Sequence, residues 1–162
     1  MTNVRPALFV LSFLVLSSSH AVHAQGRPDF SGTWSMDRSR SESAMQTDPI
    51  GPTTIVITQT PTSLQLAMTR DGRTASITYR LDGAPSQIPG GTATSHWEGP
   101  MLVTETVRDI QGQTVTTKES RRLNENGNEM LVETVLVVQH GYTLKGTQNY
   151  GAGKDVFTRV RE

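Results

Sequence analysis

The spacing of its turn residues restricts this chain more than any other feature. From Gly32 onward, Gly, Pro, Asn or Asp interrupts the sequence about every ten residues, a rhythm typical of short strands in an all-β domain. Between the interruptions apolar and polar side chains alternate. Leu64, Leu66 and Met68 share one side of such a run, and Ile77, Tyr79 and Leu81 share one side of another, with Gln65, Thr78 and Arg80 opposite. Period-two alternation means that one face of a strand packs inside while the other meets water. No window beyond residue 30 sustains the i, i+3, i+4 apolar spacing of an amphipathic helix. The pattern predicts strands over Gly32–Met36, Thr53–Thr60, Ser63–Thr69, Thr74–Leu81, Gly91–Trp97, Met101–Arg108, Thr114–Arg121, Met130–Val138, Tyr142–Asn149 and Asp155–Arg161. Pro61-Thr62, Asp71-Gly72, Gly99-Pro100, Asn126-Gly127, His140-Gly141 and Gly151-Ala152-Gly153 read as the turns between them. Sequential antiparallel strands on tight hairpins hide their edges most simply by closing, so the expected fold is an antiparallel up-and-down β-barrel of about eight to ten strands. An open β-sandwich is the alternative.

Composition narrows the function. At 162 residues the chain has one domain's worth of sequence, and 15 basic against 15 acidic side chains give no basic excess for nucleic acid. The absence of cysteine rules out a disulfide framework, a thiolate metal site and a cysteine nucleophile. Apolar residues are few and threonines many, so threonine is expected to line part of the interior.

Residues 1–24 read as a secretory signal peptide. Arg5 supplies the positive start, Ala7 to Leu16 the apolar run, and Val22-His23-Ala24 a cleavage site with small residues where signal peptidase needs them. The run is about half the length a membrane span requires. Gln25 stands where a lipoprotein would carry cysteine, so neither a membrane span nor a lipid anchor is expected. Residues 25–162 then form the barrel domain, periplasmic or secreted.

At the start of that domain stands Asp29-Phe30-Ser31-Gly32-Thr33-Trp34. This resembles the G-x-W opening of the calycins, the superfamily of lipocalins and intracellular fatty-acid-binding proteins, and the small secreted lipocalin-like bacterial proteins that begin D-F-S-G-T-W. Pro52-Thr53-Thr54-Ile55-Val56-Ile57 is similar to the second strand of a fatty-acid-binding protein, Ser76 to Gly83 to its fourth, and Thr158-Arg159-Val160 to its terminal T-R-V-Y. The resemblance implies a calycin-like barrel holding a small hydrophobic or amphipathic ligand such as a fatty acid. It also implies that Gly32 and Trp34 plug the closed end and that Arg159 stands where that family holds a carboxylate. Arg161 occupies the place of the family's terminal tyrosine, and the 16 residues Asp37–Pro52 replace its helical portal cover with a polar stretch that reads as a solvated loop.

Strand parity leaves Arg159 two positions. If Val156, Thr158 and Val160 face inward, Arg159 and Arg161 are solvated. If Phe157 faces inward, two cations are buried, at several kcal/mol unless an anion pairs with them, which favours the first arrangement. A buried Arg159 would select a carboxylate-bearing ligand by charge-assisted hydrogen bonds. The remaining candidate ligand contacts are Tyr79 and Tyr142 for their hydroxyls, Trp97 beside the Gly99-Pro100 turn, and Thr104 and Thr106, which share a face with Leu102 and Arg108. Lys118, Glu119, Arg121 and Arg122 read as a charged outer surface.

Catalytic signals are missing. His96 and His140, the histidines beyond the leader, lack ligand spacing, and no nucleophile elbow, Walker loop or dinucleotide fingerprint occurs. No metal or cofactor is implied, and the sequence leans away from an enzyme. A binding protein for a small apolar or carboxylate-bearing molecule is the preferred reading. An envelope interaction protein with a filled interior, or a barrel isomerase or cyclase using His96, are the alternatives.

Overall fold

The computed structural model describes residues 26–42, 44, 51–139 and 148–161. The predicted leader and Tyr142 lie outside them. Ten strands form one antiparallel sheet: β1 (Gly32–Met36), β2 (Thr53–Gln59), β3 (Ser63–Arg70), β4 (Arg73–Arg80), β5 (Ser86–Ile88), β6 (Gly91–Glu98), β7 (Met101–Ile110), β8 (Gln113–Leu123), β9 (Glu129–Gln139) and β10 (Gln148–Arg159). Their order, β4-β3-β2-β1-β10-β9-β8-β7-β6-β5, is that of an up-and-down barrel in which the first strand pairs with the last. The end strands β4 and β5 approach across a seam, where the Arg80 amide donates to Ser86 Oγ at 2.7 Å. The expected barrel is present, nearly closed, and the sandwich is not.

Local chemistry explains the hairpins. Asp71 and Gly72 both take positive φ, 49° and 73°, as a two-residue turn matching strand twist requires. Gln111 and Gly112 do the same between β7 and β8.

One expectation fails at β10. Gly151-Ala152-Gly153 is not a turn but the middle of one continuous strand. The glycines are needed there because the β1–β2 connector crosses them. A Cβ on Gly153 would run into the backbone nitrogen of Ala44 and stand 2.6 Å from the Glu42 carbonyl oxygen. The described part of that connector is tied to β10 at Ser41 and Glu42, while Arg38, Ser39, Arg40 and Glu42 stay exposed, as a solvated stretch would. Asp37 caps the short 3-10 turn Arg38–Arg40, the buried Ser41 hydroxyl accepts from the Val156 amide at 3.0 Å, and Glu42 exchanges backbone bonds with Lys154. The three-residue β5 is too short to have left a periodic signal in the sequence.

Inward side chains divide the interior in two. The lower half, at the end where β1 begins, is packed by Phe30, Trp34, Leu64, Leu102, Met130 and Phe157, all essentially without exposure. The Phe30 and Trp97 rings stack there at 6.0 Å. The upper half has apolar residues on β3 and β4 facing threonines on β7 and β8. Thr53, Thr104, Thr106, Thr117 and Thr134 are all buried, as the threonine-rich composition led one to expect.

Candidate ligand site

The floor of the barrel is a cation locked onto an indole. Phe157 registers with Met36 and Met130, and all three are buried, so the Phe157 face of β10 points inward, contrary to the arrangement that burial cost favoured. That cost is avoided because Arg159 never enters an apolar space. Its guanidinium lies over the Trp34 ring at 4.2 Å, donates from Nε to the Gly127 carbonyl at 2.9 Å, and donates from Nη1 to the Ser31 carbonyl. Arg161 lies past the strand end and is exposed. Gly32, at φ +132°, leaves room for this arrangement, since a Cβ there would stand 2.6 Å from Arg159 Nη1. Trp34, fully buried, donates its indole N–H to the Phe30 carbonyl at 2.9 Å. Gly32, Trp34 and Arg159 therefore sit together at this end of the barrel, with the guanidinium taken up by the indole and two backbone carbonyls.

The space inside lies above this floor. A cavity of about 280 Å³ is lined on one wall by Leu66, Met68, Ala75, Ile77 and Tyr79 and on the other by Thr106, Arg108, Ile110, Val115, Thr117, Glu119 and Arg121. Tyr79 and Thr106 thus line this cavity. Thr104 is buried beside it, where its hydroxyl pairs with Ser95 at 2.9 Å. Trp97 is elsewhere: it lines a shallow groove at the closed end with Leu81, Pro61 and Arg27, whose guanidinium covers its ring at 5.5 Å.

The residues with the most chemistry are ones the sequence reading placed outside. Lys118 and Arg122 do face water, but Glu119 and Arg121 alternate with them and point in. The signal was present: Val115, Thr117, Glu119 and Arg121 share one parity, and Val115 is an apolar residue that a sheet hides. Arg121 is 4% exposed, registered with Leu102 and Val132 near the packed half. Its Nη2 donates to Glu119, while Nε and Nη1 have no hydrogen-bond partner among the described residues, and neither does Arg108 Nε. Burial works to lower the Arg121 pKa, yet opposing interactions led by the Glu119 carboxylate more than offset it, so the guanidinium stays charged. Burial also raises the Tyr79 phenol, which therefore remains a neutral O–H at physiological pH.

Arg108 lies toward the upper end of the cavity, with Ile110 beyond it. It registers with Val115, six residues along β8 from Arg121, a separation of about 20 Å at a strand's rise of ~3.3 Å per residue. Two arginines and one glutamate leave the lining with one net positive charge. Above Met68 and Ala75 the cavity meets a rim groove bearing Arg70, Asp71 and Arg73. His96, the best catalyst for a barrel enzyme, is on the outside, half exposed and bonded to Glu98 at 3.0 Å. Among the described residues no group of His, Asp or Glu is arranged to hold a metal, and no helix is long and apolar enough to cross a membrane.

No protein-family model and no curated protein matches the sequence. The fold, by contrast, is similar to that of solved structures. Human cRBP IV is similar over 82% of this chain and 99% of its own, with TM-score 0.56 at 15% identity. Caenorhabditis elegans lipid binding protein 8 matches over 81% and 95%, with TM-score 0.53 at 9% identity. The fatty acid transporter REP1-NXSQ matches over 81% and 98%, with TM-score 0.54 at 12% identity.

Proposed function

We propose that this chain, a ten-stranded barrel of the calycin type, binds a small amphipathic molecule with an anionic head and works outside the cytoplasm. One observation carries the reading: a buried, charged guanidinium with two unpartnered donors faces a cavity whose opposite wall is apolar. Charged donors form the stronger class of hydrogen bond, and they are worth most where water is scarce. An acidic head at Arg121 would neutralise the net positive charge of the lining, while the body of the ligand covers Leu66, Met68 and Ile77. Two of the similar barrels, a lipid binding protein and a fatty acid transporter by name, support a ligand of this kind. The leader-like pattern of residues 1–24 supports export.

Calorimetric titration with octanoate tests the binding. Saturable binding is expected, with Arg121→Met weakening octanoate at least tenfold and the neutral octanol little. Equal weakening of acid and alcohol in a folded variant would refute the anionic-head assignment. N-terminal sequencing of protein from its own host tests export, and an intact Met1 would overturn it.

A further inference from the structure

Building on that reading, we infer that the cavity selects its ligand by length: it takes a compact monoanion of about nine or ten non-hydrogen atoms, such as an eight-carbon acid, and gains nothing from a longer chain. The argument is one of length. Tyr79 and Ala75, at the two ends of the apolar wall, are four residues apart on β4, about 13 Å at a strand's rise of ~3.3 Å per residue, so an extended acid of roughly eight to ten carbons runs the length of that wall. A chain anchored at Arg121 cannot extend downward, because Phe30, Trp34, Leu64, Leu102 and Met130 fill the lower half. It can only grow upward, past Ile77 and Val115. Beyond Met68 and Ala75 its next methylenes meet Arg70, Asp71 and Arg73 in the rim groove instead of an apolar wall. Arg73 is exposed, and Arg70 is held to Thr53 Oγ1 at 3.1 Å, which fixes a charge at the collar.

Burying one methylene contributes about a fourfold gain in affinity, and a methylene left in a charged, wet groove contributes none. A plot of affinity against chain length should therefore rise and then break. The experiment titrates the full chain with butanoate, hexanoate, octanoate, decanoate, dodecanoate and hexadecanoate, each below its micellar concentration. The expected result is a steep rise to octanoate, then values within threefold of one another. Arg73→Leu, which replaces one of the collar's charges with an apolar side chain, should move the break to a longer acid. A rise that continues unbroken to hexadecanoate overturns the length limit while leaving the binding reading intact. An unmoved break in Arg73→Leu overturns the collar's role in setting it. No saturable binding of any acid sinks the binding reading itself, and the length limit with it.

Discussion

Replacing Arg159 with methionine separates a floor residue from a ligand anchor. Methionine keeps the length and apolar stem of the side chain but deletes the guanidinium that covers Trp34 at 4.2 Å and donates to the Gly127 and Ser31 carbonyls. A desolvated cation–π contact contributes about 2 kcal/mol, and a hydrogen bond from a charged donor about 1.5–3 kcal/mol. Arg159 is half-buried, so both are discounted, and its orphaned carbonyls at the barrel end regain water. The expected loss is about 3 kcal/mol, a large share of the ~5–15 kcal/mol by which a domain is stable. With a urea dependence of about 1–3 kcal/mol per molar, the midpoint should fall by roughly 1.5 M. Arg159→Lys, which keeps a charge near the ring but loses the planar fork, should lose about half as much. Octanoate affinity, measured on whatever fraction stays folded, should be unchanged within twofold. An unmoved midpoint together with a tenfold loss of octanoate binding would refute the reasoning, because Arg159 would then be serving the ligand.

Three other perturbations address the cavity, the connector and acid stability. Glu119→Gln raises the net positive charge of the lining and removes a carboxylate that shares Arg121, so octanoate should bind about three- to tenfold tighter; weaker binding would show that Glu119 positions the guanidinium instead of competing with the ligand. Gly153→Val should accelerate hydrogen exchange at the Glu42 and Lys154 amides, which bond across the connector at 2.7 and 2.8 Å, whereas unchanged exchange would mean that the crossing over β10 is not close. The Asp37 carboxyl is lowered to about 2 by hydrogen bonds from Ser39 and Arg40. Its unfolded value lies near 3.8, so the unfolded chain binds the proton more readily between those limits. The stability it contributes is present above the higher value and drains as pH falls through the lower. Asp37→Asn should flatten that part of the urea-midpoint profile, and an identical profile would refute it.

The architecture was legible because a sheet writes itself into sequence at period two. Leu64, Leu66, Met68, Ile77 and Tyr79 announce an inner face, and the Asp71-Gly72 turn announces the strands it joins. What was hidden depended on contacts between distant segments. Gly151 and Gly153 carry the same chemical signature in a turn as under a crossing chain, and only the position of Ala44 distinguishes the two. Arg159 shows the same limit: local parity could not reveal that Gly32, more than a hundred residues earlier, leaves a gap for its guanidinium. Glu119 and Arg121 were concealed differently. A run of charged residues reads as surface by composition, but alternation assigns every second one to the interior regardless of charge. Following parity from Val115 would have found them.

The bond between the first and last strands also governs when this molecule can become itself. Trp34 lies opposite Arg159, so the ring seals only once a strand more than a hundred residues after β1 has been made. Pairings that span so much sequence form slowly, since the loop entropy must be overcome before any contact rewards it. Until then β1 and β9 each expose a flank of unpaired amides and carbonyls, the surface on which strands of other molecules can dock. A chain shortened by its last strand would thus lose more than one-tenth of a sheet. It would be left with two sticky margins and an uncovered indole, and aggregation, not partial function, is the fate its topology prescribes.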